Sequence, residues 1–404
     1  MTSAPTDLKQ LRSAPEPAVL VSDKPTKRLR IAVLNRIFAP TGGGAERYAI
    51  AMVEQLAGRH EFHVFAQKIE HQWPGVTYHK VSAPLTRPRW INQLWYATLT
   101  WWVTRTGFDI VHSHENTWHG QVQTVHVLPV RYNLFFGRSG LRKAWQWCRV
   151  LSSPRLITYL TLEGFRLAWR GHRRIIAPSP MVRDVLQITY PSCADGLSVI
   201  PPGVTLPEGN PDRHAARRAL GLPESGDVVA FVANDYQKKG LETLLTALSQ
   251  LDPDVALAVV GSSAQIDRFR QRAKFLGLEN RVYFLGQLGD VTPLYQAADV
   301  LAHPTLEDTF AMVVLEAMAY GLPVVVSNAR YCGIAGLLTD HHNALILKNP
   351  TDAVELADKL NQVLRVDTLG KSLALGSLEF ASHWAWPRIA LQQEAVYQDI
   401  VERR

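Results

Sequence analysis

The sequence predicts an α/β protein made of two similar, doubly wound, Rossmann-like domains. Short runs of apolar and β-branched residues alternate with segments of helical periodicity along almost the whole chain, as expected for parallel sheets covered by helices. The length of 404 residues exceeds what one hydrophobic core usually serves. A stretch rich in proline and glycine, from Pro201 to Pro223, separates two series of strands.

The domain boundaries follow from where the strand runs stop and restart. The first series covers residues 30–35, 62–67, 110–114, 122–127, 175–178 and 197–200, and the second covers 228–232, 256–260, 282–285, 300–302, 323–327 and 344–347. We therefore predict a first domain over 29–205, a linker over 206–225 and a second domain over 226–382.

The two ends of the chain differ from the domains. Residues 383–404 have helical periodicity with Pro387 near the start, which predicts a helix. Residues 1–28, rich in Ser, Pro, Ala and Lys, are predicted to be a disordered leader without the apolar core of a secretory signal. No membrane-spanning helix is expected, because the chain lacks a window of about 20 uninterrupted apolar residues. Three widely spaced cysteines favour a reducing, cytoplasmic location: Cys148, Cys193 and Cys332.

Basic charge is concentrated in one segment. Residues 131–174 contain ten Arg or Lys and one acidic residue, Glu163, a net charge of +9, whereas the whole chain carries +7. Interleaved aromatic residues suit an anionic membrane surface. Nucleic acid is the rival polyanion, but no nucleic-acid-binding motif accompanies the segment. The residues predicted to face the membrane are Arg138, Arg142, Lys143, Trp145, Trp147 and Arg149.

A second tryptophan-rich segment covers residues 89–105 and carries four tryptophans. It either extends the membrane surface or forms a buried helix of the first domain. We favour burial.

Two glycine-containing turns are suited to bind phosphate. Gly43 and Gly44 follow the first strand and open the first helix, where backbone N–H groups and the helix dipole favour an anion. A dinucleotide fingerprint would place a third glycine where Arg47 stands, so a plain tight turn is the alternative. Lys238 and Lys239 end another strand and can neutralise a diphosphate, although surface lysines are often only solvating.

The segment 307–323 is the strongest candidate for a binding site. Thr309 is predicted to cap a helix over 310–320, with Asp308 just before it and Glu316 eight residues further on, a helical span of about 12 Å. One carboxylate can accept hydrogen bonds from sugar hydroxyls and the other from ribose hydroxyls. Glu316 lies in an otherwise apolar helix and therefore needs a partner. The amides predicted to meet the phosphates belong to Ala311, Met312 and Val313.

Histidines follow two strands of the first domain. His112, His114 and His126 lie at predicted carboxyl ends, where ligands of parallel α/β sheets bind. His126 is a candidate contact for a sugar hydroxyl or for the acceptor. No metal site is predicted, because no carboxylate or cysteine completes a set of ligands.

From about Arg30 to Arg404 the chain resembles family-4 retaining glycosyltransferases of the GT-B fold, in which two Rossmann-like domains face each other across a cleft. Within that family it is most similar to bacterial lipopolysaccharide core glucosyltransferases. The segments that carry the resemblance are 42–46, 199–204, 238–240, 259–261, 289–300, 303–304 and 316–325.

This resemblance implies transfer of a hexose from a nucleotide-diphosphate sugar, with a UDP-sugar favoured, to a lipid-linked glycan such as lipopolysaccharide core or O-antigen. It implies retention of anomeric configuration and no metal or cofactor. The donor would bind mainly the second domain and the acceptor the first, and the final helix would cross back to the first domain. The implied location is the inner face of the cytoplasmic membrane.

The family motifs also assign site residues. Asp308 takes the first acidic position of the family's pair, with Glu307 beside it, and Glu316 takes the second. Ala311 stands where the motif usually has glycine. Asn234 stands where many members have a basic residue, for which Lys238 substitutes. Asp308, Glu316 and His126 are thus the catalytic candidates, and the donor-binding candidates are Gly43, Gly44, Asn234, Lys238, Lys239, Glu307, Phe310, Ala311, Met312 and Val313.

Two other functions fit parts of this pattern. A sugar-nucleotide epimerase of similar two-domain shape would isomerise the donor alone and would not need a basic aromatic surface. A non-catalytic glycan- or lipid-binding protein would not need the carboxylate pair or the paired lysines.

Overall fold

Two parallel sheets organise the protein, one in each half of the chain. The computed structural model describes residues 27–40, 43–85, 87–168, 171, 173–209 and 212–403. The predicted leader therefore lies, except for its last two residues, outside the described residues.

The first half contains a seven-stranded sheet. The strands of this half, seven in the main sheet and two in a separate pair, are β1 (Arg30–Leu34), β2 (Ile37–Phe38), β3 (Glu61–Ala66), β4 (Lys68–Ile69), β5 (Thr77–Lys80), β6 (Ile110–Ser113), β7 (Val122–Thr124), β8 (Arg174–Ala177) and β9 (Leu197–Val199). Its helices are α1 (Gly44–Leu56), α2 (Arg89–Thr104), α3 (Val130–Phe135), α4 (Gly140–Leu151), α5 (Pro154–Leu167) and α6 (Pro180–Thr189). The strand order is β5-β3-β1-β6-β7-β8-β9, all neighbours are parallel, and β2 pairs with β4 separately.

The second half contains a six-stranded sheet. Its strands are β10 (Val228–Val232), β11 (Ala256–Val260), β12 (Val282–Gly286), β13 (Val300–His303), β14 (Val324–Ser327) and β15 (Leu345–Leu347). The helices of this half and the tail are α7 (Arg213–Leu220), α8 (Leu241–Leu248), α9 (Ile266–Phe275), α10 (Thr292–Ala297), α11 (Met312–Ala319), α12 (Ala353–Arg365), α13 (Asp367–His383) and α14 (Trp386–Glu402). The strand order is β12-β11-β10-β13-β14-β15, again parallel throughout.

Each sheet is covered on both faces, which confirms the predicted doubly wound class. Successive residues of β10 enter different cores: Val228 and Ala230 pack in one apolar cluster, and Val229 and Phe231 in another. The residues of β1 also alternate between two apolar clusters, because successive side chains of a strand point to opposite faces of the sheet. Burial of both faces explains the continuous apolar runs in the sequence.

The predicted linker over 206–225 contains a helix. Asp212 caps α7 by accepting a hydrogen bond from the amide of Ala215, and Gly221 ends the helix in a left-handed conformation. The guanidinium of Arg217 is buried and bonds to the carbonyl of Ala297 and the carboxylate of Asp299. Residues 213–220 thus pack on the second half of the chain, which composition alone did not indicate.

The last helix, α14, packs against α1 of the first half. Tyr397 shares a 2.7 Å hydrogen bond with His112, and Arg174 forms a 2.7 Å ion pair with Asp399. At the beginning of the helix, Trp386 meets the ring of Tyr48 edge to face. The tail therefore joins the first domain, although it follows the second one in sequence.

Candidate active site

The candidate site lies where the two domains touch. The hydroxyl of Thr309, in the loop between β13 and α11, donates a 2.8 Å hydrogen bond to the carbonyl of His126 just after β7. Ser179 donates to the carbonyl of Thr309 at 2.7 Å. A methyl group added at Gly44 would lie 3.2 Å from the sulfur of Met312. The loops beyond β7 and β13 therefore meet at the carboxyl ends of both sheets, where ligands bind in such folds.

Asp308 is the centre of a dense polar cluster. Its Oδ2 atom accepts from Lys239 Nζ at 2.6 Å and lies 3.2 Å from Nε2 of His303. Its Oδ1 atom accepts from the amides of Phe310 at 3.2 Å and Ala311 at 2.8 Å. Burial opposes ionisation of this carboxyl, but the hydrogen bond from His303 and the charge of Lys239 outweigh it, and the pKa of Asp308 falls below its usual range.

The other predicted polar residues of the second domain have separate surroundings. The side chain of Glu307 is 42% exposed and forms a 2.8 Å ion pair with Lys238, while the backbone carbonyl of Glu307 accepts a hydrogen bond from Lys239. Asn234 uses its side-chain oxygen to accept from the amide of Ser262 at 3.2 Å. Only Lys239 thus joins the predicted lysine pair to Asp308.

The start of α11 differs from the prediction. Thr309 does not cap the helix, because its hydroxyl is engaged by His126 in the other domain. The carboxylate of Asp308 instead accepts hydrogen bonds from the backbone amides of Phe310 and Ala311. These two amides are therefore not free to bind phosphates. The helix begins at Met312, after Ala311 has adopted a left-handed conformation with φ of 73°. That conformation favours the glycine that the family motif usually has there.

The remaining phosphate-binding candidates occupy the first turn of α11. Met312 and Val313 are its first two residues, where backbone N–H groups have no acceptor within a helix. The side chain of Phe310 is buried in the core, so this residue reaches the site only through its backbone. Gly43 lies directly before α1 and Gly44 begins it, opposite Met312.

Glu316 has partners from two elements. Its Oε1 atom is 2.8 Å from Nη1 of Arg47 on α1, and its Oε2 atom accepts a 2.8 Å hydrogen bond from Tyr295 on α10. Burial, followed by the neighbouring charge of Glu316, raises the pKa of Tyr295, so its hydroxyl remains a donor. These contacts supply the partners that a carboxylate in an apolar helix requires.

The three histidines form a chain inside the first domain. The rings of His112 and His114 are tilted by 34° with centroids 4.3 Å apart, whereas His114 stacks on His126, and Nδ1 of His114 lies 2.9 Å from Nε2 of His126. Burial, with a smaller contribution from the charge of Arg166, lowers the pKa of His126 to about 3. His126 is therefore neutral at physiological pH, able to exchange hydrogen bonds but not to carry charge.

Three contributors to this site were missed by sequence reasoning. Arg47 was noted only as the residue that interrupts a glycine pattern, although it is the partner of Glu316. Tyr295 and His303 lie in segments that carry the resemblance, but neither was assigned a role. A signal existed for His303, because it ends β13 as the other histidines end strands of the first sheet.

Much of the basic segment 131–174 lies at the protein surface, and its role at a membrane stays a prediction. Helix α4 exposes Leu141, Trp145, Trp147 and Leu151 along with its basic residues. Arg138 donates to the carbonyl of Leu134 and is only partly exposed.

The charge of the segment is less exposed than its total suggests. Arg166, Arg173 and Arg174 are buried, because they hold carbonyl groups, Gln123 and Asp399 inside the fold. Glu163 is buried as well. Arg170 lies outside the described residues.

The expectation of burial was wrong for three of the four tryptophans of α2, whereas Trp90 is half-buried. Trp101 and Trp102 are 41% and 57% exposed, and Trp95 is 43% exposed. The guanidinium of Arg105 lies over the ring of Trp102 at 3.9 Å. Helix α2 instead buries Tyr96 in an apolar cluster of the first domain, together with small and polar residues such as Asn92, Gln93 and Thr100. None of the described helices is long and apolar enough to cross a membrane.

Comparisons with known proteins agree with this architecture. Residues 42–207 match the family described as Glycosyltransferase Family 4, and residues 212–374 match the family described as Glycosyl transferases group 1. The chain belongs to the family-4 glycosyltransferases. Within the described residues, no group of three or more His, Cys, Asp or Glu side chains could hold a metal ion.

Curated relatives that match this chain are D-inositol 3-phosphate glycosyltransferases. A D-inositol 3-phosphate glycosyltransferase of Corynebacterium diphtheriae is 31% identical over 240 residues, which is 56% of this chain and 56% of the relative. The aligned part thus spans little more than half the length of that curated protein.

Two solved structures show the same GT-B fold. WaaG, a glycosyltransferase involved in lipopolysaccharide biosynthesis, superposes with a TM-score of 0.76 at 21% identity and covers 91% of this chain and 98% of its own. The Anabaena protein HepE, solved with UDP and glucose, has a TM-score of 0.71 at 21% identity over 91% and 98%.

Proposed function

We propose that the protein transfers a hexose from a UDP-sugar to a lipid-linked glycan, with retention of configuration, on the cytoplasmic face of a membrane. The observation that carries this proposal is the pair of carboxylates on the α11 segment, with Lys239 bonded to Asp308 and Glu316 facing the first domain. Membership of the glycosyltransferase family supports it.

Each polar group has a distinct task in this proposal. Glu316 accepts hydrogen bonds from the ribose hydroxyls, because an ionised carboxylate has about four acceptor directions and two are used by Arg47 and Tyr295. Asp308 has all four directions filled, so a hydroxyl of the donor sugar replaces its longest side-chain contact, the 3.2 Å bond to His303. Lys239 uses two of its three N–H donors and directs the third to the diphosphate.

The transfer itself needs no protein nucleophile. The bond between the anomeric carbon and the diphosphate oxygen breaks, a bond to the acceptor oxygen forms on the same face, and the leaving diphosphate takes the acceptor proton. Lys239, Lys238 and the first-turn amides of Met312 and Val313 stabilise the charge that develops on the diphosphate. His126, being neutral, exchanges hydrogen bonds with a hydroxyl of the donor sugar or of the acceptor.

The decisive test is donor binding to the Glu316→Ala variant. UDP is the first probe, because the Anabaena protein of this fold was solved with it. Loss of a charge-assisted contact should weaken UDP binding by about 1.5–3 kcal/mol, roughly 10- to 150-fold in Kd, in isothermal titration calorimetry. Glu379→Ala, an exposed substitution on α13, is the matched control. Equal affinity of wild type and Glu316→Ala would reject the ribose assignment.

A lipid-linked acceptor is favoured by the surface of α4. This helix presents Trp145 and Trp147 beside Arg142, Lys143 and Arg149, and it carries no acidic residue. Such a surface suits an anionic bilayer better than a small metabolite. The named substrate of the Corynebacterium relative makes a phosphorylated polyol the rival acceptor.

Binding to anionic liposomes separates these acceptors. Each basic residue near such a bilayer contributes on the order of 1 kcal/mol, so Arg142, Lys143 and Arg149 changed together to Ser should weaken association by about 3 kcal/mol. Co-sedimentation at low salt measures this, and added salt should weaken it further. The control variant removes three exposed charges from α9: Arg268, Arg270 and Lys274. If the wild-type protein does not bind anionic liposomes, the membrane proposal is rejected and the phosphorylated polyol becomes the favoured acceptor.

Incubation with the donor alone tests the other functions. An epimerase would convert the sugar without an acceptor, whereas a glycosyltransferase transfers it or slowly releases UDP. A non-catalytic binding protein would do neither.

A further inference from the structure

The ion pair between Arg47 and Glu316 joins the two domains at the site. Arg47 lies in the first turns of α1, and Glu316 lies on α11, 269 residues further along the chain. Their side chains are partly exposed, with 38% and 19% of the side-chain surface accessible. The same two helices come together again at Gly44 and Met312.

Glu316 is held from both sides. Tyr295, from the same domain, fixes one carboxylate oxygen at 2.8 Å, and Arg47, from the other domain, fixes the second oxygen at 2.8 Å. Together they set the plane of the carboxylate and leave two acceptor directions open. Without Arg47, one oxygen would lose its partner and the carboxylate could turn about its terminal bond.

We infer that Arg47 is a positioning residue for the nucleotide ribose, so that recognition of the ribose diol is completed only when the first domain closes on the second. This inference rests on the proposed role of Glu316 as the ribose contact. Each domain orients one oxygen of the Glu316 carboxylate. Both ribose hydroxyls are therefore bound optimally only when both domains are in place. Nucleotide affinity and domain closure are then coupled through a single carboxylate.

A plain interdomain ion pair is the alternative. An ion pair as exposed as this one changes the equilibrium constant for domain closure, and hence ligand affinity, by less than about fivefold. It would also act on every ligand that needs closure, whether or not the ligand has ribose hydroxyls. A positioning role predicts instead an effect that depends on the ribose hydroxyls themselves.

The experiment compares UDP with 2′,3′-dideoxy-UDP by calorimetry. Arg47→Ala should weaken UDP binding by about tenfold and leave 2′,3′-dideoxy-UDP binding within about twofold of wild type, and Glu316→Ala should show the same selectivity. Arg59→Ala is the matched control, because Arg59 forms a 2.9 Å ion pair with Glu394 just beyond the opposite end of α1. It should change neither affinity. If Arg47→Ala does not fold, Arg47→Lys serves in its place, because lysine keeps the positive charge but lacks the planar guanidinium that orients the carboxylate.

Each outcome bears on a different statement. Equal losses for both ligands, or no loss for either, would overturn the role of Arg47 while Glu316→Ala could still be selective for UDP. A Glu316→Ala variant without selectivity would reject the ribose contact, and the inference with it. Wild type that binds no nucleotide at all would reject the proposed function.

Discussion

Asp308→Asn is expected to lower turnover by about 100-fold or more, because it removes the charge that holds Lys239 beside the diphosphate site. The substitution keeps the size of the side chain but replaces an acceptor by an amide, which can no longer satisfy Lys239, His303 and two backbone amides at once. Release of UDP from a UDP-sugar, followed at steady state, measures the effect.

Glu307→Gln is the matched control for this variant. The ion pair between Glu307 and Lys238 is solvent-exposed, with 42% of the Glu307 side chain accessible, so a loss of turnover of less than about tenfold is expected there. A larger loss at Glu307 than at Asp308 would show that the register is shifted by one residue and that Glu307 contacts the sugar.

Gly240→Ala is expected to destabilise the protein by about 3 kcal/mol or more. Gly240 has a φ of 82°, and an added methyl group would lie 2.0 Å from the carbonyl oxygen of Pro304. That carbonyl belongs to the loop that carries Asp308, so relief of the clash would also displace Lys239 from its partner. Thermal unfolding should show a decrease in Tm of about 6–12 °C.

Gly277→Ala isolates the backbone effect. Gly277 has a φ of 70°, but an added methyl group would meet nothing within 4 Å. Its expected cost is about 1 kcal/mol, from the left-handed conformation alone. Similar losses at both positions would show that the contact with Pro304 does not determine stability.

Much of the fold could be predicted from the sequence, since burial of parallel strands on both faces leaves a local signal. The run predicted as a strand over 228–232 is β10, and the run over 256–260 is β11. The motif also placed Asp308 and Glu316 in one segment, and their register stays a prediction that the Asp308 and Glu307 variants test.

Other features depended on distant partners. Arginines at 166, 173 and 174 contributed to the count of a basic segment, yet they are buried because carbonyl groups, Gln123 and Asp399 surround them. Trp95, Trp101 and Trp102 point outward because α2 packs on the first domain through other residues, among them Tyr96 and Gln93, whose side-chain amide donates to the carbonyl of Asn116. The charge or hydrophobicity of a side chain alone does not predict its burial, because burial depends on contacts with residues distant in sequence.

The sequence by itself determined the two doubly wound domains and the placement of Asp308 and Glu316 in one segment, because each depends on residues close together in the chain. Only the tertiary structure decided that Asp308 rather than Thr309 receives the amides before α11, and that Arg47 pairs with Glu316. Both outcomes depend on contacts between domains, with Thr309 bound to His126 and Arg47 placed 269 residues from its partner. Local periodicity carries no information on pairs at such separation, so these contacts follow from domain packing alone.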